Sequence, residues 1–256
     1  MISVSGYLIE KMLYQNSRYV YYLAIQSDTG TKAIIKSNIS TPPPLKDISR
    51  LKHEYEILKD LNIDGVIRLE AKVDHANGMA LVIKKFDADP LADILQRERL
   101  DVAEALGIAL SLTKTIEELH GHNIIHKDIQ PENIFVGSQK RQTWIVDLSV
   151  SSLLTREMLD IRNFKSIEGN LAYISPEQTG RMNRPIDYRT DFYSLGITLY
   201  EMLTGNVPFN LEDPLEMVHS HLAKQPLSPH QIDSQIPNAV AEIVLKLLAK
   251  NAEERY

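Results

Sequence analysis

Asp128 and Asn133 stand five residues apart in IIHKDIQPEN (residues 124–133), and one tight loop can hold both side chains. There the carboxylate can take a proton from a hydroxyl nucleophile while the amide oxygen holds a divalent cation. Taken alone, the same spacing also fits a capped turn. A further carboxylate, Asp147, follows at the end of the strand-like WIVD, where it can reach the same cation. Upstream, Lys36 closes KAIIK and Glu54 lies in DISRLKHEYEILKDL. A lysine on a strand, held by a glutamate on a helix, can fix one cation against a pair of phosphates. Together, residues of these types could serve chemistry on a phosphate.

The elements that must carry them read off in order. RYVYYLAIQ (residues 18–26), a turn over Ser27–Gly30 and then KAIIK make a β-hairpin signal. Thr41-Pro42-Pro43-Pro44 forces an extended loop. Beyond it, Ile48, Leu51, Tyr55, Leu58 and Leu61 fall at helical spacing. Strands are expected over Val66–Val73 and Met79–Phe86, joined by a turn at Asn77-Gly78. From Pro90 the pattern turns helical, with helices expected over Asp101–His120 (capped by Asp101), Thr190–Leu203, Asp213–Lys224 and Ala239–Lys250. Two short strands, IFVG and TWIVD, and a long irregular stretch from Leu148 to Asp187 lie between the first two of these. Irregular stretches of that length are usually functional.

Composition narrows the class. The 256 residues fit one large domain of two lobes or two small domains, and 43% hydrophobic with 24% charged is globular, not disordered or fibrous. The charge sum of 28 − 34 = −6 argues against a nucleic-acid binder. With no cysteine there is no disulfide, thiolate metal site or cysteine nucleophile. No uncharged apolar run approaches the ~18 residues of a membrane span, and no signal-peptide core opens the chain. The expectation is a soluble cytoplasmic protein without a membrane span.

The order Lys36, Glu54, Asp128 with Asn133, Asp147 resembles the signature set of the protein kinases. The later segments are similar too. Ser175-Pro176-Glu177 stands where the family has A-P-E, and DFYSLG (residues 191–196) resembles its D-x-W-S-x-G helix start. Arg255 resembles the late arginine that pairs with the A-P-E glutamate. The resemblance covers the chain and implies an α+β, bilobal fold. Its N-lobe (1–83) would be a small antiparallel sheet with one main helix, followed by a hinge (84–89) and a larger, mostly helical C-lobe (90–256). It implies ATP and Mg2+, with Lys36, Glu54, Ile83, Lys84, Lys85, Phe86, Asn133 and Asp147 at the nucleotide and Ile83 as gatekeeper. Asn133 and Asp147 would hold the metal, Asp128, Gln130 and Asn133 would act in catalysis, and Glu177, Asp191 and Arg255 would brace the activation segment. SPEQTGRMNRPIDYRTDFYSLG is similar to the N-terminal kinase domain of large sensor proteins. Those carry ATPase, GAF and histidine-kinase modules of a two-component system, which would be partners in the same or another chain. The ending EERY fits a domain cut short.

Five departures from the family pattern stand out. The glycine-rich loop has no glycine in residues 13–21, where Asn16 can take left-handed dihedrals and Ser17 and Arg18 can supply donors. Gln130 replaces a lysine near the γ-phosphate, and losing one preorganised stabiliser costs about 10²–10³ in rate. Asp147-Leu148-Ser149 replaces D-F-G, and Asn170 replaces a threonine bonded to the catalytic Asp and Lys. Lys127 replaces an arginine that gathers an activation-loop phosphate, which weakens the case for control through Thr155 or Ser166. Two functions therefore stay open. One is a kinase phosphorylating serine or threonine in a protein substrate; the other is a pseudokinase that regulates a neighbouring sensor or histidine-kinase module.

Three further features have plain structural readings. Arg181, Arg184 and Arg189 read as local ion pairs before an acidic-peptide site. His219 and His221 are too close for the i, i+4 face of a metal pair. Tyr19, Tyr21 and Tyr22 read as strand packing.

Overall fold

The computed structural model describes residues 3–40, 42–75, 78–153, 156–157, 169–182 and 184–256. Thr41, Asn77, Thr155 and Ser166, singled out above, lie outside the described residues, as does most of 154–168. The chain divides into two units: residues 1–88 with 144–149, and residues 89–143 with 150–256.

In the first unit the β-branched and aromatic run becomes strand β2 (Tyr19–Gln26), preceded by β1 (Tyr7–Gln15) and followed by β3 (Lys32–Asn38). After the proline loop come helix α1 (Leu45–Leu58) and strands β4 (Leu69–His75) and β5 (Gly78–Lys84). The sheet is antiparallel in the order β1-β2-β3-β5-β4. Its register opposes Tyr21 to Lys36 and Lys36 to Leu81. Because side chains alternate along a strand, Ala33 and Ile35 join Val4, Ala24, Ala80 and Val82 in one core cluster. Ile34 and Lys36 point to the opposite face. Helix α1 buries Leu51, Glu54, Ile57 and Leu58 along one stripe, which is how a glutamate comes to be buried.

The expected strand over Val66–Val73 starts later, at Leu69. Val66 instead bridges to Ile145, with Ile67 N–H donating to Ile145 O (3.1 Å) and Ile145 N–H to Gly65 O (2.8 Å). Those bonds tie the segment carrying Asp147 to the first unit. The strand expected to reach Phe86 ends at Lys84, opposite Ala33 near the start of β3, where the ladder runs out of partner.

The second unit is mostly helical. It contains β6 (Asp89–Pro90), α2 (Leu91–Arg97), α3 (Val102–Gly121), β7 (Ile134–Val136) and the start of β8 (Thr143–Ile145). After these come β9 (Arg156–Glu157), β10 (Ile186–Asp187), α4 (Arg189–Thr204), α5 (Pro214–Ala223), α6 (Pro229–Ile232) and α7 (Asn238–Leu247). Asp101 caps α3 in a capping box: it accepts from Glu104 N–H at 2.7 Å, and the Glu104 carboxylate takes Asp101 N–H at 3.0 Å. Helix α4 is buried on nearly every face, as its apolar sequence requires. A Cβ at Gly196 would stand 2.8 Å from Leu247 Cβ, so glycine there lets α4 and α7 pack closely. The stretch read as irregular between Leu148 and Asp187 contains β9 and β10, paired antiparallel. The α+β architecture is as expected, with an antiparallel sheet and one helix in the first unit and helices dominating the second.

Candidate active site

The first unit collects Lys36, Glu54 and Asp147. Lys36 Nζ lies 2.6 Å from Glu54 Oε2, 3.2 Å from Asp147 Oδ1 and 3.4 Å from Val146 O. Register explains the pairing: the face of β3 that carries Lys36 is opposite the core cluster, and Glu54 lies on the buried stripe of α1. Glu54 also accepts from Leu148 N–H at 3.3 Å. Burial pushes its carboxyl up to about 7, with Asp147 adding to the rise and Lys36 opposing it. Burial pushes Asp147 up as well, but Lys36, Arg18 and Ser149 together hold its carboxyl below the ordinary value. Ser149 N–H donates to Asp147 Oδ1 at 2.9 Å. Its backbone keeps a negative φ, so the loss of glycine costs no strain here.

Two side chains read as strand packing belong to this cluster. The Tyr19 ring centroid is 4.0 Å from Lys36 Nζ and that of Tyr21 is 5.7 Å away. The Tyr21 hydroxyl donates to Val146 O at 3.4 Å. Burial, then Asp147 and Glu54, raises both phenols above their ordinary value. Tyr22 points to the other face and packs on the core cluster. Asn16 does not take the left-handed backbone open to it. Its Oδ1 accepts from Arg18 N–H (2.9 Å) and Tyr19 N–H (2.7 Å), so the side chain closes the β1–β2 turn without a positive φ. Ile83 is fully buried in β5, on the same face as Lys36. Lys84 ends that strand, Lys85 pairs with Asp87, and Phe86 stacks on Trp144 at 5.3 Å.

The second unit builds a loop around Asp128. A 3-10 turn over Pro131–Asn133 folds Asn133 back, and its Nδ2 donates to Asp128 O at 2.9 Å and Asp128 Oδ2 at 3.0 Å. Gln130 Nε2 donates to the other carboxylate oxygen at 2.8 Å. Asp191, at the start of α4, accepts from His126 N–H and Lys127 N–H at 2.8 Å each, and its Oδ2 lies 2.8 Å from His120 Nε2. A Cβ at Gly169 would come 2.9 Å from Asp128 Oδ1, so that position requires glycine. Asn170 is exposed, and its Oδ1 accepts from Ala172 N–H at 3.1 Å. It serves its own turn.

Glu177 and Arg255 make a buried two-pronged ion pair, with bonds of 2.7 and 2.9 Å. Thr190 donates to the same glutamate at 2.8 Å. Arg255 also donates to Ala249 O (2.9 Å) and Arg189 O (2.9 Å). Arg189 pairs locally with Asp187 at 2.7 Å, as read from the sequence, whereas Arg184 pairs with Glu253, sixty-nine residues further along the chain. Buried His221 meets the Tyr193 hydroxyl at 3.0 Å. No cluster of three His, Asp or Glu capable of holding a metal occurs among the described residues. No helix among them is long and apolar enough to cross a membrane.

The sequence did not reveal five contributors: Tyr19, Tyr21, His120, Gly169 and Gln178. Gln178 Nε2 donates to Lys127 O at 2.7 Å. Its position directly after Ser-Pro-Glu was the only hint of this.

The chain is 30% identical over 210 residues to a probable serine/threonine-protein kinase of Clostridium perfringens, covering 82% of this chain and 30% of that protein. It is 26% identical over 239 residues to the serine/threonine-protein kinase PknB of Mycolicibacterium smegmatis, covering 91% of this chain and 37% of that protein. A hybrid signal transduction histidine kinase of Dictyostelium discoideum is 29% identical over 223 residues, covering 61% of this chain and 6% of that protein. The chain thus spans less than two fifths of the length of each of these relatives. The family model of the protein kinase domain matches residues 18–256, and with it the chain belongs to the protein kinase family.

Proposed function

We propose that this domain transfers the γ-phosphoryl group of Mg-ATP to a serine or threonine hydroxyl of a protein substrate. The observation that carries the reading is the buried set of Lys36, Glu54 and Asp147, one cation held between two carboxylates. Such a cation serves phosphate oxygens, and its glutamate partner keeps it extended. Lys36 would take the α- and β-phosphates, and the adenine would lie against Lys84, Lys85 and Phe86 with Ile83 behind it. Asp128 would orient the substrate hydroxyl and accept its proton.

The donor set suits a hard divalent ion. Asn133 spends its Nδ2 on Asp128, which leaves the amide oxygen as an acceptor, and Asp147 offers carboxylate oxygen. Asn133 and Asp147 would therefore hold Mg2+, which when bound neutralises charge on the phosphates. Glu177, Asp191 and Arg255 would brace the activation segment and the catalytic loop.

The named activities of the kinase relatives favour transfer over a pseudokinase role. Likeness to a hybrid histidine kinase supports a place beside histidine-kinase, ATPase or GAF modules of two-component signalling, in the same or a partner chain. Use of ATP is the argument for the cytoplasm. The deciding experiment is radiolabel transfer from ATP to a generic protein substrate by wild type and Asp128→Asn. A general base is worth about 10²–10⁴ in rate, so the variant should lose most transfer while binding Mg-ATP as wild type does. Equal transfer by the folded variant would remove Asp128 from this role.

A further inference from the structure

Lys127, the residue before Asp128, adopts a left-handed backbone with φ of 67°. For a residue with a Cβ this backbone is strained and persists only where the surroundings enforce it. Two groups enforce it from opposite sides. Asp191 Oδ1 takes the Lys127 N–H at 2.8 Å, and Gln178 Nε2 donates to the Lys127 carbonyl at 2.7 Å. That carbonyl belongs to the peptide whose nitrogen is Asp128 N, so its orientation sets where the Asp128 side chain starts.

Gln178 is itself held without freedom. It is buried, and its Oε1 accepts from Ser175 N–H at 2.9 Å. With the amide oxygen committed to a donor, only the NH2 can face Lys127 O. The residue before it, Glu177, is locked in the Arg255 fork. A continuous chain of bonds therefore runs from Arg255 through the 175–179 turn to the peptide that carries Asp128.

We propose that Gln178 is a positioning residue for Asp128, coupling the Ser175–Thr179 turn to the catalytic carboxylate through the Lys127 carbonyl. It acts on the main chain, so it holds the loop whatever the Lys127 side chain contacts. The proposal rests on Asp128 being the proton-accepting carboxylate.

Gln178→Met keeps the size and removes both hydrogen bonds. Displacing a reacting group by about 1 Å can cost 10²-fold, so kcat is expected to fall by about 10- to 100-fold with KM for ATP within about twofold. Gln178→Glu keeps the acceptor for Ser175 N–H but can donate to Lys127 O only when protonated. Its kcat relative to wild type is expected to rise as pH falls, whereas that of Gln178→Met stays flat. The wild-type profile, containing the same Lys127, Asp128 and Asp191, is the reference. Wild-type kcat in the Met variant, or parallel pH profiles for the two variants, would overturn the proposal. If Gln178→Met does not fold, the Glu profile alone decides. Should wild type transfer no phosphate, the proposed function fails, and amide hydrogen exchange then tests the coupling. Faster exchange confined to residues 126–130 in a Gln178 variant supports it, and unchanged exchange there refutes it.

Discussion

The ring of Tyr19 covers the ammonium of Lys36, its centroid 4.0 Å from Nζ, and both side chains are fully buried. Tyr19 lies on the same face of β2 as Tyr21, which stands opposite Lys36, so the ring leans over the lysine from two residues away. An anion approaching Lys36 from the side of this ring would have to displace it. A desolvated cation–π contact is worth about 2 kcal/mol, equivalent to about thirtyfold in an equilibrium. Tyr19→Ala is therefore expected to tighten Mg-ATP binding by up to about thirtyfold in titration calorimetry. Weaker binding would make Tyr19 a nucleotide contact instead.

Gln130 bonds to Asp128 and brings no charge to the transferring group. Phosphoryl transfer depends on positioning and electrostatics, so Gln130→Lys is expected to raise the transfer rate about tenfold or more, with a smaller effect on ATP affinity. Asn170 bonds within its own turn, so Asn170→Thr is needed only if the new lysine requires a second holder. A fall in robust wild-type activity on adding lysine would show glutamine to be an adapted residue. Steady-state kinetics of both single variants and the double variant measure this.

The pairing of Arg255 with Glu177 that the family pattern implies is present. The guanidinium is buried and is held by backbone carbonyls as well as by the carboxylate. Removing one partner of a buried pair costs about 3–5 kcal/mol. Arg255→Met is expected to lower stability by that amount in urea unfolding, and a loss below about 1 kcal/mol would count against a structural role.

His221 sits against the Tyr193 hydroxyl and the edge of Phe209. Burial, with Lys250 nearby, lowers its imidazole from 6.5 to about 4. The unfolded chain therefore binds a proton near pH 6.5 that the folded chain refuses until about pH 4. Stability from this group is complete above pH 6.5 and is lost as pH falls towards 4, about 3 kcal/mol in all. His221→Asn is expected to lose about that much less than wild type between pH 7 and 4, measured by urea unfolding. Equal losses would place the acid sensitivity elsewhere.

The sequence by itself determined whatever is written in periodicity, capping chemistry and local spacing. The β2–β3 hairpin, α1, α3 with its Asp101 cap and the near-continuous apolar run of α4 could all be read from it. So could the loop that joins Asp128 to Asn133, because five residues and a 3-10 turn suffice to close it. Strand ends were read less well. Val66 bridges to Ile145, some eighty residues away, and no local signal announces such a partner.

Tertiary structure decided the rest, through register and burial. That Tyr19 belongs with Lys36 and Tyr22 does not follows from which face of β2 each occupies once it pairs with β3. The rise of Glu54 and the fall of His221 come from desolvation, which only packing supplies. Gln178 reaches Lys127 across fifty-one residues because the Ser175–Thr179 turn folds against the catalytic loop. Hydrogen bonds between residues far apart in the chain leave no spacing to read, so only the folded chain could reveal what holds Asp128 in place.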